Sequence, residues 1–256
     1  ASSSSTVMIQ TNGKAVTYSA GNNQSTGLWA PQLQEVTIED GVAATITVMM
    51  ADDLTGKPNH ETSLKRPSRM QTSYDYNGSS LNFKAPYGGL IYIQPKVKEL
   101  GEVSFSINGA LKAAWWKEGE WINSIQSAEA PIAEIDTGSF IYTTPIRNLE
   151  SADLNQFATD MNRFAEAASD FYGRDEKQND GLHRKFTYSE LKAFRHRFVN
   201  DVQISIGAAH SGYPVMNSSF NANRTYIPTN PVNDWLLWHE VGHNLASAPF
   251  LAAGST

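Results

Sequence analysis

The stretch Trp235–Asn244 constrains the fold more than any other part of the chain, because it contains His239, Glu240 and His243 in the order His-Glu-x-x-His. Residues four apart share one face of a helix, so both imidazoles can reach one ion if this stretch is helical. Two imidazoles and a third protein ligand leave a fourth zinc position for water. Zinc lowers the pKa of that water, and Glu240 can take its proton. The motif therefore predicts a helix that carries two metal ligands and a general base.

The residues around the motif also favour a helix that is embedded in a core. Asn230-Pro231 and Asn233-Asp234 are helix-start signals just upstream. Apolar residues surround the polar triplet: Trp235, Leu236, Trp238, Val241 and Leu245. The alternative interpretation is a buried amphipathic helix whose histidines only pack or form hydrogen bonds, with no metal.

A third ligand is missing after the motif. Residues 244–256 contain no His, Asp, Glu or Cys. Either an upstream residue completes the site or the chain stops short of the third ligand, and we expect the second.

Composition excludes several classes of function. A formal charge of −6 and the absence of a dense Lys/Arg run argue against a nucleic-acid-binding protein. No apolar stretch is long enough to predict a transmembrane segment in this chain. The sequence has no cysteine, which excludes disulfides and thiolate metal sites and leaves the compartment open. With 256 residues, the chain is long enough for two domains.

Residues from about Thr6 to Pro145 have the pattern of short strands separated by turns. Alternating or β-branched runs predict strands at Glu35–Glu39, 43–50, 81–84, 89–94 and 103–108. Short strands of this kind predict an antiparallel β-sandwich. Two segments, 51–67 and 111–130, are predicted to be long loops.

The second of these segments holds Trp115, Trp116 and Trp121. Exposed indoles can stack on sugar rings, so Trp115 and Trp116 are candidate substrate-binding residues. The alternative is that the tryptophans pack in a core or between domains.

The pattern changes to helices near Ile146. Apolar residues at three- and four-residue spacing after Ser151 predict a helix that reaches Phe171. A capping box at Thr187–Glu190 predicts a second helix, with Phe198 on its apolar face and Arg195 to Arg197 on a solvated one. We therefore predict an α+β protein: an antiparallel β-sandwich domain over 1–145, then an α/β domain over 146–256.

A predicted strand, Asp201–Gly207, leads into the loop 208–216. In zinc peptidases an edge strand near the metal often pairs with the extended substrate. The loop can then place His210 or Tyr213 near a developing oxyanion, where a hydrogen-bond donor stabilises the intermediate. The alternative is that Gly212-Tyr-Pro214 is only a turn.

Two segments resemble a known family. The run His210-Ser-Gly-Tyr-Pro214 and the later run Trp238-His-Glu-Val-Gly-His-Asn244 are similar to the enhancin-type zinc peptidases, which include viral enhancins and secreted bacterial mucinases. The segments 197–206 and 230–235 are similar as well.

This resemblance implies that residues 146–256 form an incomplete zincin-type α/β catalytic domain that ends before the third ligand. It implies a gluzincin with His239 and His243 as zinc ligands, Glu240 as the catalytic acid and base, and a Glu from a later helix as third ligand. It also implies cleavage of O-glycosylated, mucin-like proteins by a secreted or cell-surface bacterial enzyme. Loss of one of three ligands would weaken zinc binding strongly. The rival hypothesis is a non-catalytic glycan- or mucin-binding adhesin on a peptidase scaffold, with affinity that depends on the tryptophans.

Overall fold

A computed structural model describes most of the chain. The residues it describes are 4–11, 23–52, 67, 69–97, 101–171, 195–201, 209–212, 214–218 and 234–245. Several predictions fall wholly or partly outside these ranges: residues 53–66 of the predicted loop 51–67, residues 202–207 of the predicted strand Asp201–Gly207, the capping box at Thr187–Glu190, and Tyr213.

Two antiparallel sheets form the predicted sandwich. The first has the order β1 (Ser4–Thr11), β8 (Gly101–Asn108), β3 (Glu35–Glu39) and β6 (Ser80–Lys84). The second has the order β5 (Arg69–Tyr76), β4 (Ala44–Asp52), β7 (Gly89–Pro95), β2 (Gln24–Ala30) and β9 (Leu111–Lys112). Alternate residues of both sheets meet in one core that includes Val36, Ile46, Ile91 and Phe105. The predicted β-sandwich is therefore confirmed.

A third, mixed sheet of seven strands carries the candidate site. Its order is β11 (Glu120–Asn123), β10 (Trp115–Lys117), β12 (Ile132–Asp136), β13 (Phe140–Pro145), β14 (His196–Asp201), β16 (Val215–Ser218) and β15 (Ala209–His210). The central strands β13, β14 and β16 are parallel, and β15 runs antiparallel at the end of the sheet.

Helices cover one face of this third sheet. A short 3-10 helix, Ile146–Leu149, precedes α1 (Leu154–Phe171), and α2 (Trp235–Leu245) follows β16. The buried residues Phe157, Met161 and Phe164 of α1 pack with Phe198 of β14 and Leu237 of α2. The described part of the molecule thus has the α+β composition that the sequence predicts.

The structure corrects two predictions in this region. The segment 111–130 contains β9, β10 and β11, so it is not one long loop. The predicted second helix is wrong at its end, because His196–Asp201 is a buried strand and not a helix with a solvated face. His196 and Arg197 are each only 3% exposed. A central parallel strand is covered on both faces, which removes the polar–apolar alternation that identifies a strand in sequence.

Both sides of the predicted boundary at residue 145 contribute to the third sheet. β10 to β13 precede that boundary, and β14 to β16 follow it. The division 1–145 and 146–256 stays a prediction. Because β9 belongs to the second sheet, whereas β10 and all later described strands belong to the third, we propose a domain boundary between β9 and β10 instead.

A buried polar group joins the sandwich to the third sheet on the face opposite the helices. We call Tyr92, Glu134, Thr143 and Arg197 the arginine junction. Arg197 Nη2 donates to Tyr92 Oη at 2.6 Å and lies 3.3 Å from Glu134 Oε2. Tyr92 and Thr143 donate to the same carboxylate oxygen at 3.0 and 2.8 Å. The guanidinium carbon of Arg197 also lies 4.2 Å from the centre of the Tyr92 ring. Buried charges need such partners, so the junction fixes β7 against β12 and β14.

The burial of Tyr92 in the arginine junction predicts that its contribution to the free energy of unfolding depends on pH. Burial raises the pKa of Tyr92 above its ordinary value of 10.0. The stability that the neutral phenol contributes is therefore fully present well below pH 10 and decreases as the pH rises through that value and beyond, because the phenol then ionises in the unfolded chain and stays neutral in the folded one. We expect the difference in unfolding free energy between wild type and Tyr92→Phe to shrink between pH 9 and pH 11. Denaturant unfolding at a series of pH values measures it, and a constant difference would contradict this role.

Within the described residues, the structure contains no helix that combines the length and apolar character needed to cross a bilayer.

Candidate metal centre

The predicted motif helix forms, and a side chain caps it. Asp234 precedes α2, and its Oδ1 accepts hydrogen bonds from the amides of Leu236 at 2.9 Å and Leu237 at 3.3 Å. A capping carboxylate satisfies amides that have no partner inside the helix. The helix start is therefore fixed one turn before His239.

One face of α2 anchors it to the core. Leu237, Val241 and Leu245 are buried among residues of α1 and the third sheet. Trp238 packs edge-on against Phe164, with ring centres 5.0 Å apart. Because these residues occupy one side of the helix, His239 and His243 lie on the side that faces solvent.

The two motif histidines point at one another across one turn. Their Nε2 atoms are 3.3 Å apart, and their rings are nearly perpendicular, at 88°. A tetrahedral zinc ion with Zn–N bonds of about 2.05 Å separates two such nitrogens by about 3.3 Å. The pair therefore fits two ligands of a tetrahedral ion.

Glu240 completes a cluster of three potential ligands. One ligand atom from each of His239, Glu240 and His243 lies within 4.8 Å of the others. Glu240 is 7% exposed, whereas both histidines are exposed. A carboxylate beside the metal position and largely shielded from bulk water is suited to accept a proton from a bound water. Elsewhere in the described ranges, no other group of three His, Asp, Glu or Cys residues is close enough to hold an ion.

Trp235 supports the first histidine, although the sequence predicted it to be buried. Its side chain is 71% exposed, and its ring stacks on His239 with centres 4.7 Å apart and planes 24° apart. The contact restricts the rotation of the imidazole. The spacing of four residues within one helix was a signal that could have predicted it.

Asn244 links the helix to the end of β15, which the sequence did not predict. Its Nδ2 donates to the Gly212 carbonyl at 2.7 Å, and its Oδ1 accepts from the Gly212 amide at 2.9 Å. These residues are 32 positions apart. No local pattern indicates such a contact, apart from the position of Asn244 directly after the motif.

His210 lies beside this link, on β15. It is 8% exposed, and its Nδ1 lies 2.8 Å from the carbonyl oxygen of Ser211. A carbonyl only accepts, so Nδ1 carries the hydrogen and Nε2 of the neutral ring is an acceptor. His210 can thus donate to an oxyanion through Nε2 only as an imidazolium. The predicted substrate roles of His210 and Tyr213 stay predictions.

Trp115 and Trp116 lie on β10, which four strands separate from β15 in the third sheet, and both are buried. Trp115 is 9% exposed, and a Cβ added at Gly27 of β2 would lie only 2.6 Å from its ring. Trp116 is 3% exposed and belongs to the core under α1. Stacking on a sugar needs an open ring face, so the structure favours the packing alternative for both. Trp121, at 38%, is the exposed member of the three.

Comparisons with protein families agree with the two parts of the fold. Residues 113–256 match the model described as "Peptidase M60, enhancin and enhancin-like". Residues 2–108 match the model described as "N-terminal domain of M60-like peptidases".

Curated relatives are identical to this chain at about half of the aligned residues. The chain is 51% identical to the "Putative lipoprotein YghJ" of Escherichia coli O78:H11, in an alignment covering 97% of this chain and 17% of that protein. It is 45% identical to the "Accessory colonization factor AcfD" of Vibrio cholerae, covering 93% of this chain and 16% of that protein. The chain thus spans about a sixth of the length of these relatives.

Solved structures share the fold at low identity. The M60 catalytic domain of Clostridium perfringens ZmpC, in complex with the sialyl T antigen, matches with a TM-score of 0.70 and 14% identity, covering 97% of this chain and 54% of that one. IMPa from Pseudomonas aeruginosa, in complex with an O-glycopeptide, matches with a TM-score of 0.63 and 15% identity, covering 95% of this chain and 30% of that one.

Proposed function

Because the chain belongs to the enhancin-like Peptidase M60 family of metallopeptidases, we propose that it carries the metal-binding helix of a zinc-dependent endopeptidase. The proposed substrates are O-glycosylated, mucin-like proteins outside the cell. The observation that carries the catalytic part is the pair of Nε2 atoms 3.3 Å apart with the buried Glu240 between the two histidines in sequence.

His239 and His243 would hold the zinc ion. When bound, zinc lowers the pKa of a water molecule and polarises a carbonyl. Glu240 takes a proton from the attacking water and later delivers it to the amine that leaves. The stack with Trp235 and the anchoring of α2 in the core keep the rings in place during this exchange.

The proposal includes a third protein ligand to the zinc ion, in addition to the two histidines. The family resemblance implies a glutamate that follows the second histidine. In the described ranges, only Glu240 joins the two histidines in a cluster of three potential ligands. Metal binding and catalysis are therefore best measured on the 256-residue chain and, in parallel, on a form that continues past Thr256.

The names of the matched proteins support the proposed substrate class. The ZmpC and IMPa structures hold a sialyl T antigen and an O-glycopeptide. YghJ is named a putative lipoprotein and AcfD a colonisation factor, which supports a location at or outside the cell surface.

Digestion of submaxillary mucin tests this function. We expect fragments from the intact mucin, no fragments after prior enzymatic removal of its O-glycans, and no fragments in the presence of a zinc chelator. Equal cleavage of both mucin preparations would contradict the substrate class. Cleavage that survives chelation would contradict the zinc mechanism. Binding without cleavage, unaffected by the chelator, would instead support the adhesin hypothesis. The burial of Trp115 and Trp116 argues against the glycan-stacking surface on which that hypothesis depends.

A further inference from the structure

The strand nearest the motif helix lies at the end of the third sheet. β15 pairs with β16 on one side, and within the described residues no strand pairs with its other side. α2 contacts β15 directly. The backbone leaves β15 through Gly212, whose φ is 121°. Residues that carry a Cβ atom rarely adopt such a φ, whereas glycine adopts it readily.

The side-chain amide of Asn244 fixes this exit to the helix. It offers a donor and an acceptor to the carbonyl and amide of the same residue, Gly212, at 2.7 and 2.9 Å. Two hydrogen bonds to one residue set both distance and orientation, as one rung of a β-ladder does. The contact therefore determines how far β15 lies from the helix that carries the histidines.

The position of Asn244 on α2 shows which side of the helix faces β15. Asn244 follows His243 directly and lies four residues after Glu240, so Asn244 and Glu240 share one side of the helix. Because Asn244 bonds to Gly212, the side of α2 that carries Glu240 is the side next to β15.

We propose that Asn244 is a positioning residue: its two hydrogen bonds to Gly212 set β15 at the distance from His239, Glu240 and His243 at which an extended substrate backbone, paired with β15, presents its carbonyl to the metal. This inference rests on the proposed function. Reacting atoms must be about 3–3.5 Å apart, and a misplacement of about 1 Å can reduce a rate about a hundredfold. A strand that receives a substrate by main-chain pairing needs such a fixed position.

Two substitutions remove the link in different ways. Asn244→Ala removes both hydrogen bonds and the side-chain volume, whereas Asn244→Leu removes the hydrogen bonds and keeps most of the volume. Asn155→Ala and Asn155→Leu are the matched controls, since Asn155 is an exposed asparagine on α1. Circular dichroism and the thermal midpoint establish that each variant folds. Hydrogen exchange of a peptide containing Gly212 reports whether the link is lost.

Two hydroxamate probes separate metal binding from backbone pairing. Acetohydroxamic acid can only bind the zinc ion, while the dipeptide hydroxamate Ac-Ala-Ala-NHOH can also pair with β15. We expect the zinc-loaded wild type to bind the dipeptide probe more tightly than acetohydroxamic acid. In both Asn244 variants, zinc affinity and acetohydroxamate affinity should stay within about twofold, and dipeptide affinity should fall at least about tenfold. Faster exchange at Gly212 should accompany the loss.

The possible results distinguish this inference from the function on which it rests. If the wild type binds zinc and prefers the dipeptide probe, and the Asn244 variants keep that full preference, the proposed role of Asn244 is overturned while the proposed function stands. An equal loss for both probes would show that Asn244 acts on the metal, which also overturns it. Wild type that shows no preference for the dipeptide would refute the pairing with β15. Wild type that binds neither zinc nor hydroxamate, both as the 256-residue chain and as the form that continues past Thr256, would contradict the proposed function itself.

Discussion

A Glu240→Gln variant is expected to cleave mucin about 10²–10⁴-fold more slowly than the wild type while it keeps its zinc, since general acid–base catalysis contributes about that factor. The amide has nearly the shape of the carboxylate and cannot take a proton from water. Because His239 and His243 are unchanged, zinc affinity should stay within about threefold. The rate is measured on whichever form of the protein cleaves mucin, with zinc content determined on the same sample.

Glu166→Gln is the matched control for this variant. Glu166 is an exposed glutamate on α1, and we expect the Gln variant to cleave mucin at the wild-type rate. Undiminished cleavage by Glu240→Gln would remove Glu240 from the mechanism. Loss of zinc together with activity would make Glu240 a contributor to metal binding instead.

Arg197→Ala is expected to lower the free energy of unfolding by about 3–5 kcal/mol, because it leaves Glu134 buried without its cationic partner. Glu134 is 1% exposed. Tyr92 and Thr143 still donate to this carboxylate, but neither carries a positive charge. Denaturant unfolding at neutral pH measures the loss.

Arg163→Ala, on the exposed face of α1, should change the unfolding free energy by no more than about 0.5 kcal/mol. The double variant Arg197→Met with Glu134→Gln removes both charges, so it should be less destabilised than Arg197→Ala alone. A loss below about 1 kcal/mol for Arg197→Ala would show that the junction does not hold the sheets together.

The sequence predicted those parts of the fold that local spacing determines. The motif helix followed from the four-residue separation of His239 and His243 and from the cap at Asp234, and both are present. Strands such as Glu35–Glu39 followed from alternation on a sheet with one covered face. These features depend on neighbours within a few residues.

The missed features depend on contacts between distant residues. Local spacing predicts a solvated helix face for Arg197, but its carboxylate partner Glu134 lies 63 residues earlier. That partner makes a buried arginine possible in a strand covered on both faces. Asn244 and Gly212 are likewise joined across the chain, and the burial of Trp115 depends on the absence of a side chain at Gly27 of β2. No local window contains these pairs.

The central claim is that His239 and His243 bind one zinc ion, and the zinc dissociation constant tests it most directly. We measure it by competition with a chromophoric chelator at fixed pH, on whichever of the two forms of the protein binds zinc more tightly. The proteins compared are wild type, His239→Ala, His243→Ala and the control His60→Ala, which replaces a histidine far from the motif in the sequence. We expect one zinc per wild-type chain, at least about a hundredfold weaker binding in each motif variant, and wild-type affinity in the control. Zinc binding that is equally strong in all four proteins, or equally absent from all four, would contradict the assignment.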